Sequence, residues 1–146
     1  MKNEALQRLE ILVGDWDLTM THAWFLESPE IEVAGAGTFR WLGDAFLEFE
    51  GSLGAEHSTW HWVIGRNDAR EQLVLLYHDD RGVLRVFDMT LEDGRWTLVR
   101  EDPDFHQRLI AIVDEDRILG RFEASEDKGM TWRKDFDLTF ERARPR

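Results

Sequence analysis

The feature that most constrains the fold of this chain is an alternation of apolar and polar residues with period two, which returns in short runs after residue 14. In the first run Trp16, Leu18 and Met20 alternate with aspartates and threonines. Such alternation is typical of strands with one buried face. The pattern predicts about ten strands, at residues 15–24, 33–42, 45–53, 58–65, 72–78, 83–91, 95–101, 107–113, 117–125 and 131–143.

The segments between these runs are short and rich in Asp, Asn and Gly, as in Gly43-Asp44 and Glu92-Asp93-Gly94. Such residues favour tight hairpins. Hairpins join antiparallel neighbours, whereas parallel strands need longer crossover segments. Because closure of a long meander removes its exposed edges, the predicted fold class is all-β, an antiparallel up-and-down barrel of about ten strands.

One segment at the start of the chain has helical periodicity instead. Leu6, Leu9 and Leu12 recur at helical spacing, and Asn3 is a potential N-cap. We therefore expect a short amphipathic helix between Asn3 and Val13. Its apolar stripe needs a surface to cover, and one mouth of the barrel is the predicted surface.

Composition limits the classes of function. The chain has 30 acidic and 18 basic residues, a net charge of -12, which repels nucleic-acid phosphates and argues against a nucleic-acid partner. No apolar run is long enough for a membrane-spanning helix, and residues 1–7 lack the apolar run of a secretory signal, so we expect a cytoplasmic protein without membrane insertion. The absence of cysteine excludes thiolate chemistry. Without repeats or linkers, residues 1–146 are predicted to form a single domain.

Polar residues that share the parity of apolar ones are candidates for a site inside the barrel, because every second residue of a strand faces inward. Parity selects five such residues: His22, Tyr77, Arg85, Arg100 and Lys134. Glu48 and Glu50 have the opposite parity and are predicted to face outward. Inward cations need a partner, so the hypothesis is an amphipathic ligand whose anionic or polar head meets Arg85 and Arg100. The alternative is that these arginines reach water or are paired in a filled core.

Seven tryptophans form a second signal. Trp60 and Trp62 share parity with Ile64 and are the best candidates for the wall of a ligand cavity. Large aromatics can equally fill a small barrel. A filled interior would indicate a structural module, with a homodimer formed through its tryptophan-rich faces.

No metal site is predicted, no catalytic residue is assigned, and the cofactor stays unknown. His57 and His61 would lie about 13 Å apart on one strand, too far to share an ion. His78 precedes two aspartates in what reads as a hairpin turn. His106 and His22 are candidate acid or base groups for the alternative function, a small isomerase-like or cyclase-like barrel enzyme acting on a hydrophobic substrate.

Gly14-Asp15-Trp16, at the start of the first strand, resembles the Gly-x-Trp motif of the lipocalins and the wider calycin superfamily. Arg142, near the end of the last strand, would complete the Trp and Arg pairing of that family at the closed end of the barrel. The segments 104–108, 125–129 and 132–136 are similar to a bacterial lipocalin-like family of unknown function.

The resemblance implies a small-molecule-binding barrel more often than an enzyme. Two ligand patterns of related branches are absent. The last strand has no Tyr to complete the Arg-x-Tyr pair of the fatty-acid-binding branch, and no His follows His106 to provide the haem ligand of the nitrobindin branch. The leading prediction is therefore binding or carriage of a small amphipathic or hydrophobic molecule.

Overall fold

The computed structural model describes residues 4–56 and 58–143. Helix α1 (Glu4–Gln7) and a 3-10 helix (Arg8–Leu12) precede ten strands. The strands are β1 (Gly14–Thr21), β2 (Val33–Leu42), β3 (Phe46–Leu53), β4 (Ser58–Asn67), β5 (Gln72–Asp79), β6 (Leu84–Glu92), β7 (Arg95–Glu101), β8 (His106–Val113), β9 (Arg117–Ser125) and β10 (Arg133–Arg142). Two residues of the sequence hypotheses, Asn3 and His57, lie outside the described residues.

The ten strands form one closed antiparallel barrel, and the fold prediction is confirmed. Each strand pairs with its neighbours in the chain, and β1 pairs with β10 from Trp16 opposite Arg142 to Thr21 opposite Asp137. Short turns produce this order because each hairpin places consecutive strands side by side. Closure leaves no unpaired edge among these strands.

The N-terminal helical segment covers one end of the barrel, as its apolar stripe predicts. Its second half is a 3-10 helix rather than a continuation of the α-helix. In a 3-10 helix residues three apart lie on the same side, which places Leu9 and Leu12 together on the barrel, and both are fully buried. In the part of the chain that the structure describes, no helix is long and apolar enough to cross a membrane.

The covered end is tied to the sheet by Trp16 and Arg142. Trp16 is 1% exposed, and its Nε1 donates a hydrogen bond of 2.8 Å to the carbonyl oxygen of Leu12. The guanidinium carbon of Arg142 lies 4.1 Å from the centroid of the Trp16 ring. Arg142 also donates hydrogen bonds to the carbonyl oxygens of Ile11 and Val13, at 2.9 and 2.8 Å. The two residues therefore fix the helical segment to the first and last strands.

A layer of large aromatic side chains fills the barrel next to this end. Its members are buried and contact one another with ring centroids 4.4–6.4 Å apart: Phe39, Phe49, Trp62, Trp96 and Phe140. Gly37 makes room for this layer, because a Cβ there would collide with the Phe49 ring. This half of the barrel is a solid core.

Candidate ligand-binding site

The half of the barrel away from the helical segment contains a cavity of about 830 Å³. Volumes of this size are typical of sites for small molecules. The described part of its wall includes nine aromatic side chains: Trp24, Phe25, Trp60, Trp62, Tyr77, Phe87, Phe105, Phe122 and Phe136. The aromatic residues therefore fill one half of the barrel and line the other.

Four of the seven residues selected from the sequence line this cavity: Trp60, Trp62, Tyr77 and Arg85. Register explains why three of them lie together. Trp62 on β4 is opposite Tyr77 on β5, and Tyr77 is opposite Arg85 on β6. Side chains at directly opposed positions of neighbouring strands project from the same face of the sheet.

Arg85 is partly buried in the wall of the cavity. Its guanidinium carbon lies 5.1 Å from the centroid of the Phe105 ring and 5.8 Å from that of Tyr77. Such contacts are attractive and leave the N–H donors free. Among the described residues Arg85 has no hydrogen-bond acceptor and no ion-pair partner. It is therefore a preformed donor group for an anion or a polar oxygen.

The other arginines of the cavity wall are already paired with carboxylates. Arg81 Nη2 lies 2.6 Å from Asp79 Oδ2. Arg133 Nη2 lies 3.2 Å from Glu126 Oε1, and its guanidinium stacks on the ring of Trp24 at 4.4 Å. Arg85 thus differs from both in having its positive charge uncompensated by a neighbouring acid.

The hydroxyl of Tyr77 is neutral and donates its hydrogen bond to the carboxylate of Asp79. Burial raises the pKa of Tyr77 to about 12, and the 2.6 Å hydrogen bond that its hydroxyl donates to Asp79 acts in the same direction. The Arg81 side chain holds the pKa of Asp79 well below its usual range, assisted by the hydrogen bonds from Tyr77 and from backbone N–H groups. A ligand can still use Tyr77 through the ring face and the lone pairs of its oxygen.

Arg100 faces inward and is 7% exposed, but it does not line the cavity. Its Nη1 donates a hydrogen bond of 2.8 Å to the carbonyl oxygen of Phe105. Its Nη2 and Nε lie 3.0 Å from carboxylate oxygens of Asp104 and Asp102. The segment between β7 and β8 thus neutralises the charge of Arg100 with two aspartates. In return, Arg100 holds Phe105 of that segment at the rim of the cavity.

His22 lies outside the cavity lining because β1 ends one residue before it. Its backbone φ is 55°, a left-handed conformation that breaks the alternation of the strand. The imidazole is exposed, and its Nδ1 lies 2.8 Å from Asp137 Oδ2. The inward orientation inferred for His22 from strand parity is wrong for this reason.

Lys134 also lies outside the cavity lining, because β10 has an irregular register between Lys134 and Phe136. This β-bulge places Lys134 opposite Glu123, whereas Phe136 is opposite Phe122. Lys134 Nζ contacts Asp137 Oδ2 at 2.9 Å. The extra residue shifts the parity of the strand, which makes the inferred inward orientation of Lys134 wrong.

Because of the bulge, Asp135 rather than Lys134 lies on the cavity wall. There it holds the segment between β1 and β2 through Trp24. Asp135 Oδ1 accepts a hydrogen bond of 2.9 Å from Trp24 Nε1, and Oδ2 accepts one of 3.1 Å from Gln107 Nε2. Phe25 packs edge-on against Phe136, with ring centroids 6.2 Å apart. β1 ends at Thr21, whereas the predicted first strand extended to residue 24, so the sequence did not place Trp24 in a loop.

None of the four described histidines lies on the cavity wall. His61 and His78 face each other on the outer side of the barrel, with Nδ1 and Nε2 2.9 Å apart, and Glu48 accepts from His61 and Arg40. Glu48 therefore faces outward as predicted. The His106 ring lies 6.5 Å from that of Trp132. In the described ranges no group of three or more His, Asp or Glu residues is arranged to hold a metal ion.

Comparison with solved structures shows that the barrel fold occurs in other proteins. The barrel is similar to the crystal structure of Rv2717c from M. tuberculosis, with a TM-score of 0.71 and 14% sequence identity, over 99% of this chain and 100% of that one. No protein-family model and no curated protein matches the sequence. At this level of identity the likeness shows that the two chains share a fold.

Proposed function

We propose that this protein binds a small amphipathic molecule inside the barrel, with an anionic or polar head at Arg85 and an apolar body between the aromatic walls. The observation that carries this proposal is the unpaired guanidinium of Arg85 on the wall of a cavity of about 830 Å³. A partly buried charge without a partner is unfavourable. An anionic ligand group would provide that partner through paired N–H donors.

The residues around Arg85 support a ligand with a polar head at the guanidinium and an apolar body beside it. Tyr77 on β5 is opposite Arg85, Trp62 follows on β4, Phe87 lies two residues along β6, and Phe105 contacts Arg85 from the rim. Burial of apolar surface against such rings supplies affinity, while a small number of polar groups fixes orientation. A carrier or sensor of this type needs no catalytic residue.

The two alternatives from the sequence have less support. An enzyme based on His106 would need a carboxylate that orients the imidazole, and the described residues provide no such hydrogen bond. His22 has a carboxylate partner in Asp137, but its ring is exposed and lies outside the cavity wall. A solid structural or dimerising barrel would be filled by side chains throughout, whereas here the filling extends over one half. The packing of Trp16 against Arg142 supports the lipocalin-like assignment, and the absence of cysteine suits the cytoplasmic location that we propose.

Native mass spectrometry of freshly purified protein, followed by denaturing extraction, tests the proposed function. The samples are the wild type, Arg85→Met and the matched control Arg121→Met, whose guanidinium pairs with Glu123 on the outer surface. We expect a copurified anionic amphiphile in the wild type and in Arg121→Met, and at least about tenfold less in Arg85→Met. Protein that carries no copurified molecule from any of several expression hosts would contradict the proposal. So would an Arg85→Met variant that retains as much of the molecule as the wild type.

A further inference from the structure

We infer that the preferred ligand is a flat aromatic molecule with a single negative charge, of the aryl carboxylate class, rather than an acyl chain or a multiply charged anion. This inference rests on the proposed function of the cavity. It depends on three features of the described cavity wall. These are the balance of charged side chains, the aromatic rings on β4 and β5 beside Arg85, and the aromatic rings on the opposite strands β9 and β10.

The charge balance limits the ligand to one anionic group. Arg85 is the one cation of the described cavity wall without a carboxylate partner. Three carboxylates, Asp104, Glu126 and Asp135, also lie along the wall. Two of these, Asp104 and Glu126, already have arginine partners, whereas Asp135 has no cation partner among the described residues. A second negative charge on the ligand would therefore find no free cation on the described wall and would be repelled by Asp135. The wall is therefore suited to a monoanion.

The ring system beside Arg85 favours a flat body. Trp62, Tyr77 and Arg85 are consecutive register partners on β4, β5 and β6, so the rings begin at the anion-binding position and continue along the wall. Trp60 lies next to them, with its ring centroid 6.2 Å from that of Trp62. A planar ligand whose carboxylate meets Arg85 can stack along these faces.

A second aromatic surface lies on the other side of the barrel. Phe122 on β9 and Phe136 on β10 are stacked, with ring centroids 4.7 Å apart and planes at 27°. In the circular order of ten strands, β9 and β10 are diametrically opposite β4 and β5. The cavity thus has two facing aromatic walls. Stacking between aromatic groups adds about 0.5–1.5 kcal/mol beyond area burial, and an alkyl chain does not gain it.

Isothermal titration calorimetry with four probes tests this inference. Naphthalene-2-carboxylate is the aromatic monoanion, and undecanoate is an alkyl monoanion with the same number of carbon atoms. Naphthalene-2-carboxamide removes the charge, and naphthalene-2,6-dicarboxylate adds a second one. We expect naphthalene-2-carboxylate to bind about tenfold more tightly than each of the other three. Because the flexible chain of undecanoate exposes at least as much apolar surface, non-specific partition would give the opposite order for that pair.

Two variants separate the contributions of charge and stacking. Arg85→Met should reduce the preference for carboxylate over carboxamide to less than about threefold. Trp60→Leu should reduce the preference for naphthalene-2-carboxylate over undecanoate, whereas Trp132→Leu, outside the cavity wall, should not change it. Binding of none of the probes would overturn the proposed function. Binding with undecanoate equal to or tighter than naphthalene-2-carboxylate, or with the dicarboxylate tightest, would overturn only this inference.

Discussion

The two halves of this barrel contain the same kinds of residue and use them differently. Near the helical segment, Phe39, Phe49, Trp96 and Phe140 are buried and pack against one another. In the other half the rings stay on the walls around about 830 Å³. The wall of this half also contains inward polar groups, among them Arg85. Aromatic content alone therefore does not distinguish a core from a cavity, whereas the position of polar side chains among the rings does.

Loss of an aromatic ring should destabilise the protein far more in the packed half than in the lined half. Trp16→Ala removes a fully buried ring at the covered end and should lower the free energy of unfolding by about 3–5 kcal/mol. Trp60→Ala removes a partly exposed ring of the cavity wall and should cost about 1 kcal/mol. Urea unfolding measures both values. Equal losses would contradict the distinction between a packed half and a lined half.

The two inward arginines should differ in how much each contributes to the free energy of unfolding. Arg100→Met breaks contacts to Asp102, Asp104 and the Phe105 carbonyl oxygen, and should lower the free energy of unfolding by about 2 kcal/mol. Arg85→Met removes no hydrogen bond and should change it by less than about 0.5 kcal/mol. Chemical denaturation of both variants is the measurement. A loss for Arg85→Met as large as that for Arg100→Met would show that Arg85 has a partner within the protein.

The Asp79 carboxylate should stabilise the folded state in a pH-dependent way. Its pKa is lowered by folding, chiefly by Arg81, so its contribution is fully present above the unfolded pKa of about 3.8 and is lost as pH falls toward the folded value. Asp79→Asn should cost about 2 kcal/mol at pH 7 and progressively less below about pH 4. Urea titrations at several pH values test this, with Asp88→Asn as the surface control. A difference that does not shrink in acid would contradict the assignment.

Folding should raise the pKa of Tyr77, the only tyrosine of the chain, and absorbance spectroscopy can measure this change. Ultraviolet absorbance should give its pKa as about 12 in the folded protein, against about 10 in urea. Because the folded pKa is raised, the contribution of Tyr77 to stability is present below about pH 10 and is lost as pH rises toward 12. A folded midpoint near 10 would show that the cavity wall around the ring is open to water.

Strand alternation and turn composition were sufficient to predict the barrel and the inward placement of Trp60, Trp62, Tyr77 and Arg85. These residues lie on regular strands, where every second side chain faces the same way. The outward orientation of Glu48 followed from the same rule. The placement of the helical segment also followed, since its leucines needed a surface to cover.

The rest of the cavity depends on irregular backbone, which the alternation of apolar and polar residues does not predict. His22 follows the last residue of β1, and the bulge at Asp135 reverses the parity of Lys134. Arg100 has inward parity, yet its partners come from its own hairpin segment. Trp24 reaches the cavity through a loop contact to Asp135. The contacts of His22 and Trp24 to β10 form only when the barrel is closed, so they are properties of the tertiary structure.

We have proposed that the lined half of the barrel binds an aromatic monoanion at Arg85. A crystal structure of the protein grown with naphthalene-2-carboxylate tests it most directly. We expect electron density for the ligand inside the cavity, with its carboxylate oxygens about 2.7–3.2 Å from the Arg85 guanidinium nitrogens and its rings against Trp60 or Tyr77. A ligand on the outer surface, or Arg85 turned into solvent with the ligand bound elsewhere, would contradict it.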